Sequence, residues 1–224
     1  MLETIQQYID VRYIFSSLPA FQSALGLTLL IALSAMGLAL VWGLVLVGPR
    51  MSRRRWLSIP VRAYVEVMRN TPLPLQLYMI FFGLPLVGIF LSGFLSGVIA
   101  ITAQHGAFLS ETYRGAIESV SSSQRQAAKA LGMSHLQSMR FVILPQALLK
   151  VMPPIGNQLI ILIKDTSLVS AIGVAELTMT GNMLLERSAA SFEIFFLIAV
   201  IYLVITSVVG LLLRFFETHY RARQ

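Results

Sequence analysis

The polar side chains best placed to do chemistry are Gln158 and Asp165, which stand in a largely apolar stretch of the chain. They are seven residues apart, close to two turns of an α-helix, so both would project from one helix face. Polar groups in such surroundings are costly and are usually functional or paired. Because Pro153 and Pro154 come just before them, the pattern predicts that both side chains line a cavity and do not face lipid. The alternative is that Asp165 only ends a helix beside Lys164.

Glu111 and Arg114 form a second polar pair. They are three residues apart and therefore neighbours on one helix face. We predict an intrahelical ion pair with a structural role, which Arg69 would join from another helix. His105, beside Gly106, would either relay protons or fill a packing role, and the second interpretation is favoured.

Motifs for catalysis are absent from the sequence. It contains no G-x-x-x-x-G-K-[ST], G-x-S-x-G or H-E-x-x-H segment and no cysteine. No His, Asp and Glu cluster has the spacing of a metal site. We therefore predict a chain that is not an enzyme and carries no cofactor or metal. A membrane enzyme using His105 and Ser110 is a weak alternative, because a separation of five residues aligns helix faces poorly.

Composition identifies the class of protein that must position these residues. Of 224 residues, 56% are hydrophobic and only 12% are charged. Soluble domains average about 25% charged residues, so a soluble globular protein is excluded. The N-terminus lacks the basic stretch of a cleavable signal peptide. We predict an all-α integral membrane protein with a single domain, 1–224.

Apolar windows long enough to cross a bilayer predict the spans. The window after Arg69 is too long for one span, and Gly83-Leu84-Pro85 divides it. The fourth span is the weakest because it contains Lys150 and two prolines. The five predicted transmembrane helices are 20–47, 63–84, 92–112, 141–164 and 193–214.

The distribution of basic residues predicts the topology. With five spans, fourteen of the 17 Lys and Arg residues fall on one side of the membrane and three on the other. Cytoplasmic loops carry such an excess, so we predict the N-terminus outside and the C-terminus inside. The net charge of +7 then reflects membrane anchoring and not nucleic-acid binding. The protein is expected in the bacterial cytoplasmic (inner) membrane as a multi-pass chain.

Two further patterns concern helix packing and anchoring. Trp42, Trp56 and Tyr64 fall near predicted span ends, where aromatic residues typically act as interfacial anchors. Glycines at 26, 37 and 43 favour close helix packing of the first span.

The loop 118–140 is more organised than a connector. Ser123 with Gln126, and Ser134 with Gln137, both fit the capping box that begins a helix. Gly132 between them suits the left-handed position that ends one. Small alanines and Leu131 would be exposed on the first helix. The loop either docks a partner protein or lies on lipid, and these two alternatives carry equal weight.

Four segments carry distinctive motifs: Gln126-Ala127-Ala128 with Gly132 and Ile143-Leu144-Pro145, Arg69 to Leu77, Ser110 to Gly115, and Gly156-Asn157 with Lys164 to Leu168. Together they resemble permeases of ABC importers. The loop resembles the E-A-A…G…I-x-L-P motif, with Gln126 in place of the glutamate. The other segments are similar to the polar amino-acid permeases of the histidine, glutamate and glutamine type, and the likeness runs from about Gly26 to the C-terminus.

The resemblance implies a type I ABC importer permease fold and roles for particular residues. Acidic residues at positions 158 and 165 hold a cationic amino acid in permeases of this type that bind substrate within the membrane. Here only Asp165 is acidic, so we expect one weaker anionic site and no strict arginine or lysine specificity. The implied substrate-binding residues are Gln158, Asp165 and Asn157. The implied ATPase-coupling residues are Gln126, Ala127, Ala128, Leu131 and Gly132.

The resemblance also implies partners. They are two ATPase subunits that bind ATP and Mg, a second permease (another copy or a sister subunit), a solute-binding protein outside, and a polar amino acid. Transport would proceed by alternating access, in which each ligand acts through its differential affinity for two states. An alternative function is a membrane scaffold or receptor that recruits a cytosolic partner through loop 118–140 without transport.

Overall fold

The computed structural model describes residues 11–186 and 191–221, and every regular element within these ranges is helical. Turns of π-helix (Met79–Gly83, Met139–Ile143) and 3-10 helix (Leu84–Val87, Thr166–Ile172) join several of the α-helices. The all-helical class is therefore confirmed. The α-helices in the described ranges are α1 (Val11–Met51), α2 (Arg55–Asn70), α3 (Leu73–Tyr78), α4 (Gly93–Glu118), α5 (Ser122–Ala130), α6 (His135–Ser138), α7 (Leu144–Asp165), α8 (Leu177–Leu185) and α9 (Ser191–Arg221).

Four helical runs in the described part of the chain are long and apolar enough to cross a bilayer. They overlap the predicted spans 20–47, 92–112, 141–164 and 193–214. The weak fourth span is helical in spite of Pro153 and Pro154, which lie inside α7. The remaining apolar stretch, Leu73–Val87, is shorter than the length a crossing helix needs. The four runs are Ser16–Met51, Gly93–Glu118, His135–Ile172 and Ser191–Phe215.

The predicted second span, 63–84, is not one continuous helix. α2 ends at Asn70, and Thr71 has extended backbone angles (φ −105°, ψ 134°). The residue before a proline is pushed out of the helical region, and Pro72 follows Thr71. The Gln104 side-chain amide donates to the carbonyl oxygens of Met68 (3.2 Å) and Thr71 (3.0 Å), which partly replaces the lost helical bonds. Pro72 therefore accounts for the helix break, and the Gln104 side chain supplies hydrogen bonds to the carbonyl oxygens that the break exposes.

The chain divides into two units, of which the first comprises Met1–Ala35, Pro72–Ile101 and Ile160–Leu212. Its described core contains Phe21, Ala24, Leu177, Ile194, Leu197 and Ile198, which come from α1, α8 and α9. The Leu177 amide at the start of α8 donates to Thr28 Oγ1 (3.2 Å) in α1. The apolar faces of these three helices thereby form a small buried core inside this unit.

The second unit comprises Met36–Thr71, Thr102–Leu159 and Leu213–Gln224. Its described core centres on Leu46, Val65 and Ala107. Trp42 Nε1 donates to the Tyr64 hydroxyl (2.9 Å), and that hydroxyl donates to a backbone carbonyl of α4 (3.1 Å). These two predicted anchors therefore bond to each other across α1 and α2.

Gly43 is the only one of the three predicted packing glycines whose added Cβ would meet another described residue within 4 Å. Its Cβ would lie 2.9 Å from Leu109 Cβ and 3.2 Å from the Gly106 carbonyl oxygen, both in α4. The atoms are close to backbone and cannot swing away. Close packing by glycine is thus confirmed at residue 43, whereas Gly26 and Gly37 meet nothing within 4 Å in the described structure.

Replacing Gly43 with valine is expected to lower stability by about 2 kcal/mol, because overpacking forces two helices apart. The apparent melting temperature of the detergent-purified chain measures this effect. Gly37→Val is the matched control in the same helix and should change the melting temperature little. Equal melting temperatures for the two variants would contradict the tight contact at Gly43.

Candidate functional site

The segment 118–140 forms two short helices separated by a glycine. α5 is capped at its C-terminus by Leu131, Gly132 follows with φ +74°, and α6 begins after Ser134. The capping box of Ser134 and Gln137 is confirmed. The backbone N–H of Gln137 donates to Ser134 Oγ (3.3 Å), and the backbone N–H of Ser134 donates to Gln137 Oε1 (2.8 Å). The other predicted box, Ser123 with Gln126, is wrong.

The physical reason is that α5 begins earlier than the sequence pattern indicated. Ser121 is the N-cap residue, and its side chain makes no capping bond. Ser121 and Ser123 instead share a hydrogen bond between their hydroxyls (2.9 Å). Three consecutive serines offer competing caps, so the pattern did not fix the helix start.

The predicted coupling residues do not all face the same way. Gln126, Ala127 and Gly132 are exposed, and Leu131 is 80% exposed. Ala128 is only 3% exposed and packs inside the chain. The segment therefore exposes Ala127 beside Leu131, while the buried Ala128 packs α5 against the rest of the chain.

Two cations tie this segment to the end of α4. Arg125 Nη2 donates to the Ile117 carbonyl oxygen (2.6 Å), and Lys150 Nζ in α7 donates to the Ser119 carbonyl oxygen (2.8 Å). The last carbonyls of a helix lack intrahelical donors and carry partial negative charge. Arg125 and Lys150 satisfy them, so α5 and α7 both attach to the same helix end. The sequence offered no signal for these long-range bonds.

An ion network lies on α4 near this attachment. Arg114 pairs with Glu111 and with Glu118, and Arg50 of α1 also pairs with Glu111. Arg69 lies instead over the Phe108 ring, with its guanidinium carbon 5.3 Å from the ring centroid. The residue that reaches Glu111 from another helix is thus Arg50, which the sequence pattern did not single out.

Arg50→Met is expected to destabilise the chain by about 2 kcal/mol. The cost stays below that of a fully buried pair because Glu111 is partly exposed and keeps Arg114 as a partner. Thermal unfolding in detergent measures the difference. Arg53→Met, at an exposed position three residues on, is the matched control and should be nearly neutral.

Gln158 contacts His105 in the second unit. Gln158 Nε2 lies 2.7 Å from His105 Nδ1, and His105 is almost fully buried. An amide nitrogen only donates, so Nδ1 accepts this bond. His105 therefore positions the amide that the sequence pattern assigned to a cavity.

The other predicted substrate residues lie elsewhere on the same helix. Asn157 is exposed on α7. Asp165 is the last residue of α7, is half-buried in the first unit, and is followed by the 3-10 segment. The structure thus places Asp165 where α7 passes into the 3-10 helix Thr166–Ile172, inside the apolar run His135–Ile172.

Glu176 is a buried carboxyl that sequence reasoning missed. It is 0% exposed and caps α8, where Glu176 Oε1 accepts from the Met179 amide (2.9 Å). The Tyr202 hydroxyl of α9 donates to Glu176 Oε2 (2.9 Å). Burial raises the pKa of Glu176 above its ordinary value. Glutamate is not a favoured capping residue, so no sequence pattern singled out Glu176.

Metal chemistry has no support in the described residues, where no group of three or more His, Cys, Asp or Glu side chains is placed to hold an ion. The described residues offer an exposed pair of short helices, α5 and α6, attached to the end of α4, and four runs of membrane length. Residues 35–222 match the family model described as the binding-protein-dependent transport system inner membrane component. The chain belongs to this family.

Relatives and solved structures agree with this membership. The permease is 38% identical over 211 residues to the glutamine transport system permease protein GlnP of Escherichia coli strain K12, covering 93% of this chain and 96% of that one. A crystal structure of an amino acid ABC transporter with histidines matches with a TM-score of 0.91 and 34% identity, over 94% of this chain and 99% of that chain.

A more distant structure, the MetNI methionine ABC transporter in an inward-facing conformation, matches with a TM-score of 0.64 at 20% identity, over 92% of this chain and 98% of that one. Because the sequence identity is only 20%, this match supports the fold and nothing about function. The chain therefore has the type I ABC importer permease fold, and it is a permease subunit located as a multi-pass protein in the bacterial cytoplasmic membrane. The family is not a catalytic one.

Proposed function

We propose that this permease carries a polar amino acid into the cell by alternating access, with glutamine as the first candidate. The observation that carries the proposal is the near full-length match to a protein named as a glutamine transport permease. The match to an amino acid ABC transporter structure supports the same substrate class. The scaffold or receptor alternative has no support from these comparisons.

ATP hydrolysis is assigned to a separate subunit. The printed sequence lacks a P-loop, so ATP and Mg would bind to partner ATPases. We assign their docking to the exposed residues Gln126, Ala127, Leu131 and Gly132. Ala128 supports this surface from inside because it is buried. The bonds of Arg125 and Lys150 to the end of α4 support a rigid attachment that passes movement into the membrane helices.

The topology we propose has five crossings, the N-terminus outside and the C-terminus inside. The apolar stretch Leu73–Val87, together with the end of α2, would supply the second crossing. This arrangement places the docking segment and most of the 17 basic residues in the cytoplasm. A solute-binding protein would deliver the amino acid to the opposite side.

Five crossings are few for an enclosed pathway, so the permease would pair with a second permease, either another copy or a sister subunit. We assign substrate-binding roles in this chain to Asp165, Gln158 and Asn157. A single carboxylate fits the α-ammonium group of a neutral amino acid and leaves no second charge for a cationic side chain.

Reconstitution tests this function directly. The tagged chain is purified gently from native membranes, its partners are identified by mass spectrometry, and the complex is placed in vesicles with the solute-binding protein. ATP-dependent uptake of labelled glutamine, chased by an excess of unlabelled glutamine, is the expected result. A complex that contains a P-loop ATPase but takes up none of the polar amino acids would overturn the substrate class. Absence of any ATPase from an intact complex would overturn the transport function.

A further inference from the structure

Helix α2 has three faces of different chemistry. One face packs into the second unit through Ser58, Val61, Val65 and Met68, which recur three or four residues apart. The other two faces are exposed, and neither is explained by the transport function assigned above.

The first exposed face is apolar. Trp56 is 69% exposed, Ile59 60% and Val67 56%, and Ala63 is exposed between them. Their spacing of three and four residues makes one continuous line along the helix, here named the apolar stripe (Trp56, Ile59, Ala63, Val67). A second apolar face on a short helix is unfavourable in water, so this stripe calls for an apolar environment.

The second exposed face is basic. Arg53 and Arg54 precede the helix, and Arg55 and Arg62 lie seven residues apart on it, all four exposed. We name these four residues the arginine cluster. Glu66 is the one acidic residue in α2, so the cluster keeps a strong positive charge.

The position of this helix identifies what covers both faces. α1 is a membrane-length helix that ends at Met51, and the arginine cluster begins two residues later. The cluster therefore lies at the bilayer surface. A helix with an apolar face, a basic face and a tryptophan suits the boundary between acyl chains and headgroups. An acidic protein partner would neutralise the arginines but would leave the apolar stripe without an apolar environment.

We propose that the arginine cluster and the apolar stripe form a binding site for anionic phospholipids, whose phosphate-bearing headgroups contact the arginines while their acyl chains cover Trp56 and Ile59. Each basic residue beside an anionic membrane surface strengthens the attraction to that surface by about fivefold. The preference should fall as ionic strength rises, because salt screens exposed charges.

Tryptophan fluorescence gives a direct test. The full-length chain with Trp42→Phe retains Trp56 as its single tryptophan. It is reconstituted in phosphatidylcholine bilayers that contain equal fractions of either brominated phosphatidylglycerol or brominated phosphatidylcholine. We expect quenching of Trp56 to indicate an anionic preference of about fivefold or more. The variant Arg53→Gln, Arg54→Gln, Arg55→Gln should lose that preference.

The matched control removes three exposed cations elsewhere, by Arg140→Gln, Lys164→Gln and Arg214→Gln. It should retain the preference. Equal quenching by the two lipids in the parent chain, or the same loss in both triple variants, would overturn the proposal. Because Trp42→Phe removes a bond to Tyr64, a second measurement uses no tryptophan variant.

The second measurement compares the assembled transporter in bilayers with and without phosphatidylglycerol. Uptake by the original complex should rise with anionic lipid, and uptake by the arginine triple variant should not. If Trp56 is quenched in the isolated chain but uptake ignores anionic lipid, a partner subunit covers this surface in the complex and the proposal fails.

Discussion

Replacing Ala127 with arginine is expected to abolish ATP-driven uptake and to release the ATPase from the purified complex. The side chain is exposed on α5 beside Leu131, which is 80% exposed. An arginine there would hold the docking surface away from the ATPase. Arginine is a good helix former, so α5 itself should persist. Loss of a central interface contact costs about 2 kcal/mol or more, and we expect at least about a 30-fold fall in ATPase affinity and in uptake.

Two variants separate docking from folding. Ala127→Ser keeps a small side chain and should retain most of the uptake. Ala128→Arg would force a charge into a position that is 3% exposed, so it should lower the melting temperature of the chain. Ala127→Arg should leave that temperature unchanged. An Ala127→Arg complex that retains its ATPase and transports normally would show that docking occurs elsewhere.

The sequence predicted the features that depend on local chemistry. Apolar windows located the four membrane-length helices. The break in the predicted span 63–84 was missed, although Pro72 after Thr71 accounts for it. Gly132 adopts the left-handed conformation expected of it, and the Ser134 capping box is present. These features need only a few consecutive residues, so the information lies within one short window of the chain.

Contacts between distant helices were beyond the reach of such patterns. Arg50 joins Glu111 from a helix about sixty positions earlier, and Lys150 donates to the Ser119 carbonyl oxygen from 31 positions later. A basic residue next to a span end is also the ordinary sign of membrane topology, so nothing in the sequence separates Arg50 from its neighbours. Glu176 was missed for the same reason, because its buried carboxylate is bonded by Tyr202 from another helix.

The alanine pair illustrates the limit within the docking segment. Ala127 and Ala128 are both alanines of the same motif, so the sequence offers no reason to assign them different roles. Consecutive residues on a helix point about 100° apart, so only one of them faces outward once α5 packs against the chain. The structure decides that this residue is Ala127.

Asp165→Asn is expected to weaken amino-acid binding by the permease about 10- to 100-fold. The change removes one negative charge and preserves the shape of the side chain. A charge-assisted hydrogen bond to an α-ammonium group contributes about 1.5–3 kcal/mol, which gives this range. Because the solute-binding protein would mask the effect, the dissociation constant is measured calorimetrically on the permease–ATPase complex without it, and uptake is measured with it.

The competing interpretation makes Asp165 a helix-end residue, and the same variants distinguish it. A structural role predicts a lower melting temperature with an unchanged dissociation constant. Lys164→Gln removes the neighbouring exposed charge and should leave binding intact. Gln158→Ala removes the hydrogen bond to His105 Nδ1. It should weaken amino-acid binding less than Asp165→Asn does, because a neutral amide contributes less to binding than a charged group. If Asp165→Asn and Gln158→Ala both leave affinity and uptake unchanged, the substrate contacts belong to the second permease.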